Sequence, residues 1–226
     1  MYKYIFLDLD DTILDFTAAE EIALPKGLRE VGVEPTPDLI ARYREINIAE
    51  WERYERGEIS RETVLVERYE ILFRERGISV SAEKAEDAYR KYLGVGHYFI
   101  PGAVRLLEYL KSKGYLLYIA SNGVAATQDS RLDSAGIRPY FEAIFISETT
   151  GHHKPEPAYF DYCFAHIPGF DKTKALLIGD SLTSDIRGGI NVGIDTCWYN
   201  PAHKPLPEGI RPNFEVFSLQ DLENIL

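Results

Sequence analysis

At 226 residues, with 45% apolar and 27% charged side chains, the chain has ordinary globular usage and is long enough for one large domain or a core with a smaller insertion. No apolar run approaches the length of a membrane span, and the first, Tyr4-Ile5-Phe6-Leu7, is too short for a signal sequence and ends in acids, so a soluble cytoplasmic protein is expected. A net charge of -11 with scattered basic residues argues against nucleic-acid polymers and membranes as partners; a small anionic ligand would have to find its positive charge inside the site.

Residues 4–7 read as a buried strand that runs into Asp8-Leu9-Asp10-Asp11-Thr12. Asp8 and Asp10 are two apart and share a face if the extended geometry continues. Carboxylates so close repel, and both stay ionised only if a cation or hydrogen-bond donors are supplied, so the pattern asks for a metal. From about residue 16 to 97 the pattern changes to Glu, Arg, Ala and Tyr at helical spacing, with no convincing strand. Thr36-Pro37, Ser60 and Ser81 are candidate helix starts, and Gly57 and Gly77 candidate stops. Four helices fit, the first containing Pro25, with buried stripes at Ile40, Tyr43, Trp51 and Tyr54 and at Leu65, Tyr69, Leu72 and Phe73. Trp51 and the tyrosines are expected in the bundle core; the alternative has Asn47 or Trp51 facing a ligand.

Beyond residue 98 short apolar strands at 116–120, 144–147, 175–178 and 196–199 alternate with helical stretches near 101–113, 124–135, 157–166 and 184–192, and 214–217 reads as an added edge strand. The alternation predicts an α/β fold, a doubly wound parallel sheet with helices on both faces. Residues 1–15 and 98–226 form the core domain, and residues 16–97 an all-α insertion after the first strand. In such a sheet ligands bind at the carboxyl ends of the strands, which predicts a lid role for the insertion. Cys163 and Cys197 lie in apolar stretches and read as reduced core thiols.

The remaining strand ends carry a consistent chemistry. Ser121-Asn122-Gly123 precedes a helix, an arrangement suited to anions. Gly151-His152-His153-Lys154-Pro155 offers the Lys154 ammonium, with Pro155 as the start of the next helix. Gly179-Asp180-Ser181-Leu182-Thr183-Ser184-Asp185 brings two more carboxylates, and hard oxygen ligands from separate loops suit Mg²⁺. Taken singly, the acidic run reads as a turn, Lys154 as a surface lysine and Ser121 as a helix cap. A calcium loop starting at Asp8 fails, because Ile13 stands where glycine is needed and Ala19 where a bidentate Glu belongs. His152 and His153 read as ordinary loop residues, since adjacent histidines point apart, and Asp11 and Asp15 as turn and hinge residues.

In this order the four segments resemble the motifs of the haloacid dehalogenase (HAD) superfamily: D-x-D-x-T, a Ser or Thr after the second strand, a Lys, and G-D-x-x-x-D. The resemblance covers the whole chain and implies a Rossmann-like core with a four-helix cap of the C1 type. It further implies that Asp8 attacks phosphorus to give an aspartyl phosphate, while Asp10 protonates the leaving oxygen and later activates water. By the same resemblance Ser121, Asn122 and Lys154 hold the phosphoryl oxygens. Asp8, the backbone carbonyl of Asp10 and Asp180 bind Mg²⁺, and Asp185 acts through a water or through Lys154. An acid at position 10 points to phosphate esters, whose alkoxide leaving group needs a proton, rather than to alkyl halides. Asp10 to Phe16, Asn47 with Trp51, Gly179 to Leu182, Ser184 to Gly189 and Asp195 to Pro201 are similar to pyrimidine 5'-nucleotidases of the YjjG and YfnB type. That implies a small phosphorylated partner, a nucleoside 5'-monophosphate. The alternatives are a phosphomutase or sugar-phosphate phosphatase of the same fold, and, in another class, a non-catalytic binding protein.

Overall fold

The structure of the protein, a computed structural model, describes residues 2–226. It divides into two compact units, one built from the segments up to Phe16 and from His97 onward, the other spanning Thr17–Gly96. The first is the α/β unit. Its sheet contains β1 (Tyr4–Leu7), β2 (Leu116–Ser121), β3 (Ala143–Ile146), β4 (Ala175–Gly179), β5 (Asp195–Tyr199) and β6 (Phe214–Val216), all parallel in the order β3-β2-β1-β4-β5-β6. This is the doubly wound sheet that the strand and helix alternation predicts.

The short apolar runs become strands because both their faces are covered. Ile5 and Leu7 point into a cluster with Leu106, Leu107 and Leu110 of α5 (Ala103–Ser112), Leu132 of α6 (Ala125–Ala135), and Leu219 and Leu222 near the C-terminus. Tyr4 and Phe6 point the other way, onto Tyr159, Phe160 and Cys163 of α8 (Pro157–Ala165). Period-two alternation therefore feeds two cores, and every residue of β1 and β4 is buried. Cys163 and Cys197 are free thiols within these cores. Several boundaries differ from the sequence reading by a few residues. β2 runs on to Ser121, and β3 stops at Ile146 because Ser147 opens a short helix, α7 (Ser147–Thr150). Helix α8 starts at Pro157, not Pro155, whose peptide bond with Lys154 is cis. After β4 a wide turn, Leu182–Ile186, precedes the short helix α9 (Arg187–Val192).

The sheet order reverses at β1. Leu7 lies level with Ile119 on one side and Ile178 on the other, so the ends of β1, β2 and β4 emerge side by side. Adjacent strands are about 4.8 Å apart, which brings three chain segments within side-chain reach of one another.

The second unit holds α2 (Pro37–Glu55), α3 (Arg61–Arg76), α4 (Ala82–Leu93) and nearly all of α1 (Phe16–Glu30), which contains Pro25. Thr36, Ser60 and Ser81 cap the later three, each accepting a hydrogen bond from the backbone three residues on, and Gly77 ends α3 in a left-handed conformation. The buried stripe of α2 is Leu39, Tyr43, Ile46, Asn47, Glu50 and Tyr54, and that of α3 is Val64, Arg68, Tyr69, Leu72 and Phe73. Ile40, Trp51 and Leu65, expected inside, are only half-buried. Polar side chains take interior positions where they pair with one another: Arg68 donates to Asn47 at 2.7 Å and to Glu86 at 2.5 Å, with its guanidinium 5.3–5.6 Å from the ring centres of Tyr43, Tyr69 and Tyr89. The Asn47 side chain is thereby engaged inside the bundle, which removes it as a ligand-facing residue.

Candidate active site

Six of the sequence-predicted side chains, those of Asp8, Asp10, Ser121, Lys154, Asp180 and Asp185, converge where β1, β2 and β4 end. Asp8 continues β1, its N–H donating to Ile178 O at 2.9 Å, and is 8% exposed. Asp11 adopts a left-handed conformation, φ 55°, and its N–H donates to Leu14 O, so the chain turns sharply after Asp10. This is the turn role expected for Asp11.

Lys154 reaches the same point from the loop after α7. Its ammonium is 1% exposed and donates to Asp8 Oδ1, Asp185 Oδ1 and the carbonyl of Ala120, each at 2.6 Å. All three ammonium protons are thus used. Asn122 fixes this loop: its side chain donates to Lys154 O and accepts from Lys154 N, both at 2.8 Å. The Asn122 amide therefore places Lys154. His153, buried, lies 3.1 Å from Glu156, and neither His152 nor His153 belongs to a metal-type cluster among the described residues.

Asp180 follows β4 directly, and its carbonyl is held by Trp198 Nε1 at 2.9 Å. Asp185 is fully buried, accepting from Lys154 on one oxygen and from Ser181 N at 3.1 Å on the other. Gly179 makes room for it, since a Cβ there would collide with the Asp185 carboxylate. Asp185 thus touches Lys154 directly, one of the two routes expected for it.

Carboxylate oxygens of Asp8, Asp180 and Asp185 lie within 4.8 Å of one another, close enough together to hold a metal ion. The electrostatics agree. Burial pushes the Asp8 carboxyl up to about 8 against the pull of Lys154, with Asp185 and Asp10 adding to the rise. Burial and the neighbouring Asp8, Asp185 and Asp11 also raise Asp180 well above the carboxylate range. Burial opposes the Lys154 charge, but Asp185 and Asp8 outweigh it and hold its pKa above the ordinary value. One lysine does not neutralise three clustered carboxylates, and an all-oxygen donor set suits a hard divalent cation.

Ser121 closes the other side. Its Oγ accepts from Gly123 N at 3.1 Å and from Gln128 Nε2 at 3.0 Å, filling both acceptor positions and leaving its hydroxyl proton to be donated. Glu148 occupies part of the α6 N-terminus by accepting from Ala125 N at 2.6 Å, so that terminus is less open to an anion than the sequence suggests. Two residues unmarked in the sequence complete the cluster. Arg131, on α6, forms an ion pair with Asp10 Oδ1, and Gln128 donates to Asp10 Oδ2 at 2.6 Å. Their spacing of three on a predicted helix puts them on one face, which was the available signal, but polar residues there read equally well as a solvated surface.

Comparison with known proteins gives a consistent result. A family model for haloacid dehalogenase-like hydrolases matches residues 2–193. YfnB of Bacillus subtilis, a HAD-hydrolase by name, is 42% identical over 100% of this chain and 95% of its own length. Its magnesium-bound crystal structure superposes with a TM-score of 0.95, covering 100% of this chain and 98% of that one. The pyrimidine 5'-nucleotidase PynA of Streptococcus pneumoniae is 40% identical over 100% of this chain and 95% of its own length. The pyrimidine 5'-nucleotidase YjjG of Escherichia coli is 34% identical over 100% and 98% respectively. On sequence, sheet topology and the order of residues around the strand ends, this chain belongs to the haloacid dehalogenase-like hydrolases.

Proposed function

We propose that the protein is a Mg²⁺-dependent phosphate monoester hydrolase that uses Asp8 as nucleophile and acts on pyrimidine nucleoside 5'-monophosphates. The observation that carries the reading is the Asp8 carboxylate, bound on one oxygen by Lys154 and grouped with Asp180 and Asp185, with a second acid at Asp10. The substrate class rests on the two relatives named pyrimidine 5'-nucleotidases.

Asp8, Asp180 and the backbone carbonyl of Asp10 hold the metal, with Asp185 orienting Lys154. When bound, Mg²⁺ neutralises Asp8 and the phosphoryl oxygens, lowering the cost of bringing two anions together. Lys154 fixes the direction of the Asp8 carboxylate and supplies a permanent positive charge to the phosphoryl group. Ser121 donates its remaining proton to a phosphoryl oxygen. Asp8 forms a bond to phosphorus as the ester oxygen leaves, and Asp10 gives that oxygen its proton. Asp10 then takes a proton from the water that attacks the aspartyl phosphate, releasing phosphate and regenerating Asp8. These groups lie in place before the charge on the phosphoryl group shifts, which is the main source of acceleration in phosphoryl transfer.

The test is a panel of pyrimidine and purine monophosphates, sugar phosphates and small esters assayed with Mg²⁺ for the wild type and Asp8→Asn. Wild-type preference for pyrimidine monophosphates, abolished by Asp8→Asn, is expected. Equal rates on every ester would reduce the assignment to a general phosphatase; equal, negligible turnover by both proteins would favour a binding protein.

A further inference from the structure

Asp10 is gripped from α6 on both carboxylate oxygens. Arg131 Nη1 pairs with Oδ1 and also donates to Gln128 Oε1 at 3.0 Å, while Gln128 Nε2 donates to Asp10 Oδ2 at 2.6 Å and to Ser121 Oγ at 3.0 Å. The three side chains close a ring, and a fourth bond ties that ring to Ser121. Arg131 and Gln128 are each 1% exposed, whereas the Asp10 side chain keeps 30% exposure. The carboxylate is therefore held from its buried side and open on the other. Gly123 makes the geometry possible, because a Cβ there would collide with the Gln128 amide.

Burying a guanidinium is costly, and a structural arginine ordinarily spends that cost on a buried acid. Here it is spent on a half-open one, the group assigned to carry the proton. Rotation about χ1 or χ2 of an unrestrained Asp would swing the carboxylate by more than the tolerance of a proton transfer. We propose that Arg131 and Gln128 are positioning residues that aim the Asp10 carboxylate for proton transfer in both half-reactions. The inference rests on the proton-carrying role of Asp10 given above. In the first half-reaction the Asp8 oxygen bonds to phosphorus, the ester P–O bond breaks and the Asp10 proton goes to the departing oxygen. In the second, Asp10 takes a proton from water as the water oxygen bonds to phosphorus and the Asp8–phosphorus linkage breaks, which returns Asp8 as a carboxylate and Asp10 to its protonated form.

The chemistry offers a readout that general damage does not imitate. With p-nitrophenyl phosphate the leaving group needs no proton, so a mis-aimed Asp10 spares the first half-reaction and slows only the second. Rapid-quench measurements would compare wild type, Arg131→Met, Arg131→Lys, Gln128→Leu and Asp10→Asn with Mg²⁺, using p-nitrophenyl phosphate and a pyrimidine nucleoside monophosphate. Arg131→Met is expected to lower kcat on the nucleotide about 10- to 100-fold with little change in inhibition by inorganic phosphate. On the aryl ester it should release a burst of one p-nitrophenolate per enzyme before a slow steady state, and Asp10→Asn should do the same. Arg131→Lys, which keeps a cation within reach, should recover part of the rate. Gln128→Leu should show the same pattern more weakly, and it carries the test if Arg131→Met does not fold. Near wild-type nucleotide turnover by Arg131→Met and Gln128→Leu, with Asp10→Asn slowed, would overturn the inference alone. Wild-type turnover by Asp10→Asn would overturn the assigned role of Asp10 and the inference with it. A burst amplitude that falls in proportion to turnover would make the two residues structural and also overturn it.

Discussion

Replacing Lys154 with Met removes one ammonium and strands two carboxylates. The lysine donates at 2.6 Å to Asp8 and to Asp185 and is 1% exposed, while Asp185 is fully buried. Methionine fills a similar volume, so little of the loss comes from a cavity. Removing one partner of a buried pair costs about 3–5 kcal/mol, because the remaining charge is left uncompensated in a poorly solvated site. For a domain of this size each kcal/mol moves the melting temperature by about 2–4 °C, so Lys154→Met should melt about 6–20 °C below wild type in EDTA at neutral pH. Mg²⁺ should restore part of that stability, because a cation bound by the same acids supplies the missing charge. It should not restore turnover, since the lysine contact to the nucleophile and its fixed positive charge beside the phosphoryl group are gone. Calorimetry with and without Mg²⁺, paired with a phosphatase assay, measures both effects. A melting temperature in EDTA within about 2 °C of wild type would refute the view that Lys154 neutralises this cluster.

The raised Asp8 carboxyl gives a pH dependence with a definite sign. Burial pushes it up to about 8 from an ordinary value of 3.8, so without metal the folded state keeps this proton to higher pH than the unfolded state does. The resulting destabilisation is absent below the unfolded value, grows as pH rises and is complete above about 8. Mg²⁺ competes with the same protons, so its thermal stabilisation should be larger at about pH 8 than at about pH 5.5; an equal shift at both would place the metal elsewhere. In the helical unit Arg68→Met should cost about 3–5 kcal/mol in urea melts by stranding the buried Glu86 carboxylate. Adding Glu86→Gln should recover much of that loss, whereas simple additivity of the two changes would show that they do not act as a pair.

How far the sequence reveals this site depends on what kind of signal each residue leaves. Asp8, Asp10 and Asp180 are legible because they sit at strand ends, and strands announce themselves by short apolar runs; Lys154 is legible because it follows the third strand in the expected order. Asn122 is legible by position, but its side chain works on the Lys154 backbone, a contact 32 residues away in sequence that no local pattern encodes. Arg131 and Gln128 escape altogether. A polar residue in the middle of a helix reads as solvent-facing, and only the tertiary packing of α6 against the end of β1 turns that face inward. The helical unit misleads only in part: Tyr43, Tyr54, Tyr69, Leu72 and Phe73 of the apolar stripes are buried, but Asn47, Glu50, Arg68 and Glu86 are inside in place of Ile40, Trp51 and Leu65, because the interior is organised around an ion pair.

Two buried cations offset part of the acidic charge that this chain of net charge -11 gathers at the strand ends. Asp8, Asp10, Asp180 and Asp185 bring four carboxyl groups to the strand ends, and Lys154 and Arg131 bring two permanent positive charges, each paired to one or two of those acids. With all four acids ionised the cluster keeps two negative charges, the amount a divalent cation cancels. The division of labour follows from where the cations sit. Lys154 lies between Asp8 and Asp185, on the side of the nucleophile, and Arg131 lies on the far side of Asp10, bound to it from α6. Neither can replace the other, because Lys154 spends its three protons on Asp8, Asp185 and the Ala120 carbonyl, while Arg131 pairs with Asp10. On the proposed mechanism a metal ion held by Asp8 and Asp180 would neutralise the nucleophile and the phosphoryl oxygens, so that attack is governed from the loop that carries Lys154 and proton transfer from α6, which carries Arg131.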